Sequence, residues 1–282
     1  MNRAAIVDTP GQPMRVEQVE VLPPRRGEVL VRLAAAGVCR GDLHYISGHF
    51  AGPLPFIPSH EGAGVVDAVG PSVETVAALM GCAVVTGLGA VFHAARPSVG
   101  ESVLVVGAGG VSLNVVEAAH LVGAEPIIAA DVAPQKLEWA RQRGATHTLD
   151  GRETGWVESV RGLTHGRGVD FAYEVVGRLE TLQAAYAAVR RGGACLLVGA
   201  VEPGVTWALS PIDLLRDEKT VRASRHRSAN FRRTIPAYLE LYRAGRLQVA
   251  DLATHRFGLD EINAAVQAVE GGAAAQAVIT FD

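Results

Sequence analysis

The sequence predicts an α/β fold in which a doubly wound parallel sheet is joined to a smaller, antiparallel β part. From Glu101 onward, short apolar segments rich in β-branched residues alternate with segments of helical periodicity, which is typical of a parallel sheet covered by helices. Before Glu101, strand-like segments are separated by the turn signals Pro10-Gly11 and Pro23-Pro24, which favours antiparallel pairing.

Each element is assigned from its apolar period and its boundary residues. In the first part of the chain, strands are predicted at residues 4–7, 14–21, 28–35 and 63–69. In the second part, strands are predicted at residues 102–106, 127–130, 146–149, 169–175, 194–198, 220–223 and 277–281. Helices are predicted at residues 134–143, 154–163, 179–190, 235–244 and 259–269, and a further helix follows the glycine turn after residue 106.

That glycine turn, with the strand before it and the helix after it, predicts a dinucleotide-binding (Rossmann) unit. Gly107, Gly109 and Gly110 let the backbone approach a pyrophosphate, and the helix that begins near Val111 directs its first N–H groups and its dipole toward the negative charge. Asp131 ends the next strand, where a carboxylate accepts the ribose hydroxyls of NAD and repels the extra phosphate of NADP. We therefore expect NAD as the cofactor.

The third glycine position of this fingerprint holds Ser112, which is small but adds a hydroxyl. A glycine-rich turn in some other α/β fold therefore stays open as an alternative.

The bulk composition limits the classes of partner and the number of domains. A chain of 282 residues with 49% hydrophobic content allows one large or two modest domains, and a net charge of −3 gives no electrostatic reason to bind nucleic acid or an anionic membrane. Residues 76–95 carry no formal charge, but they are rich in Ala and Gly and include His93, so no membrane span is predicted. Three cysteines do not make a disulfide framework and no signal peptide is expected, which indicates a cytoplasmic protein.

Cys39, His60 and Cys82 are candidate metal ligands on three separate predicted elements. Two thiolates and one imidazole form a known catalytic zinc set that leaves one coordination position for substrate. Spacing alone does not decide this, because cysteine often behaves as a small buried hydrophobe and histidine as a hydrogen-bonded core residue.

Longer motifs around these residues resemble a known family. The motifs are, in chain order, GVCRGDLHYISG, SHEGAGVVDAVG, ALMGCAVVTGLGAV, ESVLVVGAGGVSLNVV and THRFGLDEINAA. They resemble the zinc-dependent alcohol dehydrogenases of the medium-chain dehydrogenase/reductase superfamily, over most of the chain. The resemblance implies a GroES-like catalytic domain at residues 1–82 and 226–282, and an NAD-binding Rossmann domain at residues 83–225.

The same resemblance implies the residues of an active site. It implies one catalytic zinc at Cys39, His60 and Cys82, and no second zinc, because no C-x-x-C pair is present for a structural site. Glu61 matches the acid beside the metal, and Asp42 matches the carboxylate that orients the histidine.

Further matches concern the cofactor and proton transfer. His44 matches the histidine of a proton relay, Arg40 a pyrophosphate contact, Thr86 a nicotinamide neighbour and Lys136 a contact to the adenine ribose. The implied reaction is reversible hydride transfer between a primary alcohol, or its aldehyde, and NAD. The resemblance also implies a homodimer formed through the nucleotide domain.

Four departures from the family pattern bear on activity. His60 and Cys82 are close in sequence, whereas the family places a long piece of its catalytic domain between them, so residues 71–82 resemble a join across an internal deletion. Gly41 stands where the family has Ser or Thr, Gln276 where many members have Arg, and Arg227-Ser228 in place of two small residues.

Two functions therefore remain open from the sequence. The first is a zinc-dependent oxidoreductase that acts on an alcohol or aldehyde with NAD, for which the complete ligand set argues. The second is a catalytically impaired NAD-binding protein, for which the missing part of the substrate domain argues.

Overall fold

The chain folds into two compact units. The computed structural model describes residues 2–24, 29–69, 82–225, 230–249 and 252–281, and only the backbone of residues 29, 66–69 and 232. Unit 1 comprises Met1–Cys82 and Gln248–Asp282, and unit 2 comprises Ala83–Leu247.

The described strands and helices, in chain order within each type, have the following bounds. The strands are β1 (Arg3–Ile6), β2 (Arg15–Gln18), β3 (Val29–Val38), β4 (Gly62–Val69), β5 (Val103–Val106), β6 (Ile127–Asp131), β7 (His147–Asp150), β8 (Val169–Glu174), β9 (Val189–Leu197), β10 (Thr220–Ala223), β11 (Ala253–Gly258) and β12 (Gln276–Thr280). The α-helices are α1 (Arg40–Ile46), α2 (Cys82–Gly89), α3 (Gly110–Leu121), α4 (Pro134–Gln142), α5 (Trp156–Leu163), α6 (Leu179–Ala188), α7 (Pro211–Asp217), α8 (Phe231–Arg243) and α9 (Ile262–Glu270).

Unit 1 is built on a four-stranded sheet with the order β11-β12-β3-β4. Strand β3 is antiparallel to both β12 and β4, whereas β11 runs parallel to β12. Strands β1 and β2 form a separate antiparallel pair. Helix α9 packs its buried Ile262, Ala265 and Val266 into a core that also contains Val38 and Ile279 of the sheet.

Unit 2 is a six-stranded, wholly parallel sheet with the order β10-β9-β8-β5-β6-β7. The four residues of β5 are buried, as expected of a strand covered on both faces. The order reverses at β5, so the crevice at the carboxyl end of β5 is the topological switch point where such sheets bind ligands. The predicted doubly wound fold class is confirmed.

Some elements differ from the predicted ones. The sequence placed a helix over residues 179–190, but α6 ends at Ala188 and β9 begins at once with Val189, which pairs with Val169 across the sheet. Pairing with a neighbouring strand overrides a local helical period here. Helices α1 and α7 and strand β11 were not predicted, because each is short and lacks a clear apolar period. Helix α2 was not predicted either, because its residues 83–89 are all buried and its sequence shows no polar face.

The division between the units also differs from the expected one. Residues 231–247 lie in unit 2, whereas the family resemblance implies a catalytic domain that includes residues 226–282. Tyr238 of α8 is 3% exposed, and its ring centroid lies 5.9 Å from that of Phe92 and 6.5 Å from that of His93. These aromatic contacts hold α8 within unit 2.

Within the described part of the chain, no helix is long and apolar enough to cross a membrane. Part of the uncharged segment, residues 76–81, and nearly all of the suspected join, residues 71–81, lie outside the described residues.

Candidate functional site

Four side chains of unit 1 converge on one point. The ligand atoms of Cys39, His60, Glu61 and Cys82 all lie within 4.8 Å of one another. They comprise two sulfurs, one imidazole nitrogen and one carboxylate oxygen. The three residues that the sequence proposed as metal ligands are therefore brought together, with the predicted neighbouring acid among them.

The start of helix α1 fixes the position of Cys39. Cys39 is the N-cap residue, and its sulfur accepts a hydrogen bond from the backbone N–H of Gly41 at 3.3 Å. In return, Asp42 Oδ2 accepts from the backbone N–H of Cys39 at 2.9 Å. This reciprocal capping box satisfies two N–H groups that a helix start leaves unpaired, and it directs the sulfur toward the cluster.

Asp42 also holds His60. The two side chains share a hydrogen bond of 2.9 Å between Asp42 Oδ1 and His60 Nδ1, and Asp42 is only 6% exposed. With Nδ1 engaged, Nε2 is the ring nitrogen directed to a metal, which is the carboxylate–histidine arrangement typical of metal sites. The Asp42 carboxylate, followed by the Cys39 thiol, raises the pKa of His60 to about 10.

The thiol of Cys39 resists ionisation. The hydrogen bond with Cys82, followed by burial, raises the pKa of Cys39 well above that of an ordinary thiol, and the charge of Glu61 adds to the effect. Two thiolates beside a carboxylate need a cation of high charge to stabilise them, and coordinating thiols are deprotonated by such a cation. Two sulfurs and one nitrogen match a catalytic zinc set with an open fourth position, so these residues fit zinc.

Glu61 is positioned by contacts that the sequence did not reveal. Gln276 of β12 donates a hydrogen bond from its amide to Glu61 Oε2. A Cβ atom at Gly37 would lie 2.0 Å from the same oxygen, so only glycine allows the carboxylate to pass close to β3. From the sequence, Gln276 is notable only because it stands where many members of the family have arginine. For Gly37, the one feature of the sequence that could have indicated a role in the site is its position two residues before Cys39.

Gly41 lies directly against the ligand atoms. A Cβ atom here would be 3.3 Å from His60 Cε1 and 3.6 Å from both Cys39 Sγ and His60 Nε2. A small side chain at this position would therefore contact the cluster.

In unit 2, the glycine turn and Asp131 come together as predicted. Gly107 has a φ of 100°, which favours glycine, and Gly109 is the N-cap of α3. The carboxylate of Asp131 accepts from the backbone N–H of Ala108 at 2.8 Å and from that of Ala133 at 2.9 Å. A carboxylate has about four acceptor positions, so ribose hydroxyls can still bind to it.

The other predicted site residues lie on the expected elements. Arg40 is the exposed first residue of α1, and the ring of His44 on the same helix lies 5.0 Å from that of Phe50. Thr86 is buried on α2, and Lys136 is half-buried in the first turn of α4. Their assignment to the cofactor or to proton transfer stays a prediction.

The structure describes Val111 but not the pair Arg227-Ser228. Val111 is the second residue of α3, where its backbone N–H belongs to the first helical turn. Arg227 and Ser228 lie outside the described residues.

Two protein-family models match consecutive parts of the chain. The "Alcohol dehydrogenase GroES-like domain" matches residues 25–124, and the "Zinc-binding dehydrogenase" domain matches residues 110–244.

Curated relatives and solved structures agree with these family matches. An "NDMA-dependent alcohol dehydrogenase" of Amycolatopsis methanolica is 27% identical in an alignment of 364 positions, gaps included. The alignment covers 98% of this chain and 98% of the relative. An "S-(hydroxymethyl)glutathione dehydrogenase" of Synechocystis is 26% identical, covering 99% of this chain and all of the relative. The structure of an "Alcohol dehydrogenase zinc-binding domain protein" of Burkholderia ambifaria has a TM-score of 0.93 at 26% identity and covers 99% of this chain and 98% of that one.

The chain belongs to the zinc-dependent alcohol dehydrogenases of the medium-chain dehydrogenase/reductase superfamily, and it is an oxidoreductase of that family. The resemblance drawn from its motifs is confirmed. The alignments run over 364 and 368 residues, whereas the chain has 282, so these relatives contain residues that this chain lacks.

Replacing Cys82 with Ala should abolish zinc binding and leave NADH binding in place, because the glycine turn lies in unit 2, away from the ligand set in sequence. Elemental analysis and a fluorescence titration with NADH measure the two properties. Wild type should hold one zinc per chain.

Cys195→Ala is the matched control, because it removes a fully buried thiol of β9 and should keep the single zinc. Two tightly held zincs in the wild type, or one in Cys82→Ala, would contradict the assignment.

Proposed function

We propose that this chain catalyses reversible hydride transfer between a primary alcohol and NAD, with one zinc held by Cys39, His60 and Cys82. The observation that carries the proposal is the convergence of these three ligand atoms with Glu61 within 4.8 Å. Zinc at this position would polarise the alcohol oxygen and favour loss of its proton, and NAD would accept the hydride.

The chain's own residues position the reactants and move the proton. Asp42 orients His60 through its Nδ1 and, at the same time, anchors the start of α1 that holds Cys39. Glu61, held by Gln276, contributes a negative charge at the edge of the ligand set. His44, on the same helix as Gly41, is the residue proposed to pass the substrate proton to solvent.

The cofactor assignments rest on unit 2 and on the family match. Gly107, Gly109, Gly110 and Val111 would hold the pyrophosphate at the start of α3. Asp131 lies at the glycine turn, where it would accept the adenosine ribose.

Three further residues complete the proposed cofactor site. These are Arg40 for the pyrophosphate, Thr86 for the nicotinamide and Lys136 for the ribose.

The rival function, an NAD-binding protein without catalysis, is not favoured. The complete ligand set and the family matches both point to an oxidoreductase. The proposal includes a reducing compartment such as the cytoplasm, because Cys39 and Cys82 have to stay reduced to bind metal. All three cysteines are described and none forms a disulfide. Cell fractionation would test this location.

Zinc-loaded protein should form NADH from primary alcohols, and NADP should support a slower reaction than NAD because its phosphate meets the Asp131 carboxylate. Absorbance at the NADH band measures the rate across a panel of alcohols of different size, including S-(hydroxymethyl)glutathione. Cys82→Ala is the inactive control. If wild type holds zinc and binds NADH but oxidises no alcohol in the panel, the proposal fails in favour of the rival function.

Gly41 indicates that proton transfer is a weak step in this chain. The alcohol has to lose a proton, and a hydroxyl at position 41 would pass it toward the ribose and His44. General acid–base assistance of this kind is worth roughly a hundredfold or more. Glycine has no hydroxyl, so the natural sequence should turn over slowly.

Gly41→Ser should raise the rate of alcohol oxidation by about tenfold or more, because it restores the missing hydroxyl beside the ligand atoms. Gly41→Ala is the matched control, since it adds the same Cβ at 3.3 Å from His60 Cε1 without a hydroxyl. Equal rates for the Ser and Ala variants, at equal zinc content, would exclude proton transfer as the limiting step.

We further propose a homodimer formed through the edge strand β10. This strand ends the six-stranded sheet and is exposed at Thr220, Arg222 and Ala223. Helix α7, just before it, has no buried residue and exposes Ile212 at 67% and Leu215 at 72%. An exposed sheet edge beside apolar side chains favours pairing with a second copy about a two-fold axis.

Replacing Ile212 and Leu215 with Lys should therefore convert a dimer into a monomer, because two charges would be buried in the interface. Light scattering on a size-exclusion column gives the mass. Val99→Lys is the control, because Val99 is 83% exposed in a turn outside this surface and should leave the dimer intact. A wild-type mass equal to one chain would disprove the dimer.

A further inference from the structure

Asp150 stands next to Asp131 at the carboxyl end of the sheet in unit 2. Each is the last residue of its strand, β7 and β6, and the two are partners in the parallel register. Residues paired in this way carry their side chains on the same face of the sheet, and neighbouring strands lie about 4.8 Å apart. A second carboxylate is thus placed beside the one that would accept the adenosine ribose.

Asp150 differs from Asp131 in its partner. Both of its oxygens bind the guanidinium of Arg152, with Nε to Oδ1 at 2.9 Å and Nη2 to Oδ2 at 2.5 Å. Oδ1 also accepts from the backbone N–H of Arg152 at 2.9 Å. These hydrogen bonds lower the pKa of Asp150 to about 2, so the carboxylate is ionised at neutral pH. Asp131, in contrast, is bound by the backbone N–H groups of Ala108 and Ala133.

The ion pair of Asp150 with Arg152 bears on the choice between the two nicotinamide cofactors, NAD and NADP. They differ by one phosphate on the adenosine ribose, and sites that accept this phosphate do so with an arginine near that ribose. Arg152 is an arginine in that place, since the turn that carries it leaves β7 beside Asp131, where the backbone N–H of Gly151 donates to the carbonyl of Asp131 at 3.0 Å. Its guanidinium is already bound on two nitrogens.

We propose that Asp150 is a specificity-determining residue, which excludes the phosphorylated cofactor by binding the Arg152 guanidinium and by adding a negative charge beside Asp131. The proposal rests on the nucleotide binding assigned above to the glycine turn. In this proposal the preference for NAD over NADP depends on Asp131, on Asp150 and on the neutralised guanidinium of Arg152, and not on Asp131 alone.

Removing the charge of Asp150 should release Arg152 for the phosphate. Asp150→Asn is the suitable change, because the amide oxygen can still accept from the backbone N–H of Arg152 and keep the turn. The side chain of Arg152 is 60% exposed, so solvent screens its charge, and we expect NADPH to bind about fivefold more tightly. NADH should change less than about twofold, because it has no group for the released arginine.

The experiment titrates NADH and NADPH into wild type, Asp150→Asn and the double variant Asp150→Asn/Arg152→Ala, with nicotinamide fluorescence as the readout. The double variant should lose the gain in NADPH affinity. Asp217→Asn is the matched control, because Asp217 is likewise bound by arginine side chains, those of Arg191 and Arg216. Arg191 lies near the start of β9, at the opposite end of the sheet. Asp217→Asn makes the same change in net charge.

Each other outcome counts against the proposal. An equal gain for NADH and NADPH, a gain that persists without Arg152, or a similar gain in Asp217→Asn would each overturn it, as would no gain at all in Asp150→Asn. If wild type binds neither cofactor, the nucleotide site proposed for unit 2 fails, and this inference fails with it. Binding of NADH with an unchanged NADPH affinity in Asp150→Asn overturns only the role of Asp150.

Discussion

The site in unit 1 depends on the close approach of its donor groups. Two thiols, an imidazole and a carboxylate lie within 4.8 Å of one another, and the thiol of Cys39 resists ionisation beside Cys82. Ionising two thiols beside a carboxylate is unfavourable unless a cation compensates their charge. The surrounding structure is arranged to hold them at this distance: the capping box holds Cys39, Asp42 holds His60, and Gly37 makes room for Glu61.

This arrangement explains how the chain keeps a ligand set although it lacks residues that its relatives contain. Cys39 is fixed by the first turn of α1, and His60 is fixed by Asp42 of the same turn. Both anchors are hydrogen bonds within unit 1. A shortened catalytic domain can therefore retain the metal-binding geometry while it loses the walls that would shape a substrate pocket. We propose that the missing residues affect substrate selection, and that Gly41 affects proton transfer.

The nucleotide side of the protein has a different physical basis. There, the carboxyl ends of parallel strands gather backbone N–H groups and acids at one edge of the sheet. Asp131 reaches back to the glycine turn, and Asp150 neutralises Arg152 one strand further out. In our proposal, charge at this edge distinguishes cofactors that differ only by a phosphate. In this account, metal binding in unit 1 depends on coordination chemistry, and cofactor preference in unit 2 depends on the balance of charge.

The sequence by itself determined the doubly wound sheet, the glycine turn with Asp131, and the three ligands Cys39, His60 and Cys82. The sheet and the glycine turn follow from local periods and spacing, and the three ligands follow from the family resemblance of the motifs that contain them.

Only the tertiary structure decided that β11 runs parallel to β12, that Gln276 binds Glu61, and that Asp150 stands beside Asp131. Each of these depends on which distant segments become neighbours. A local period fixes which face of a strand is buried, but it does not name the strand that pairs with it, because that choice is made by packing across the whole unit.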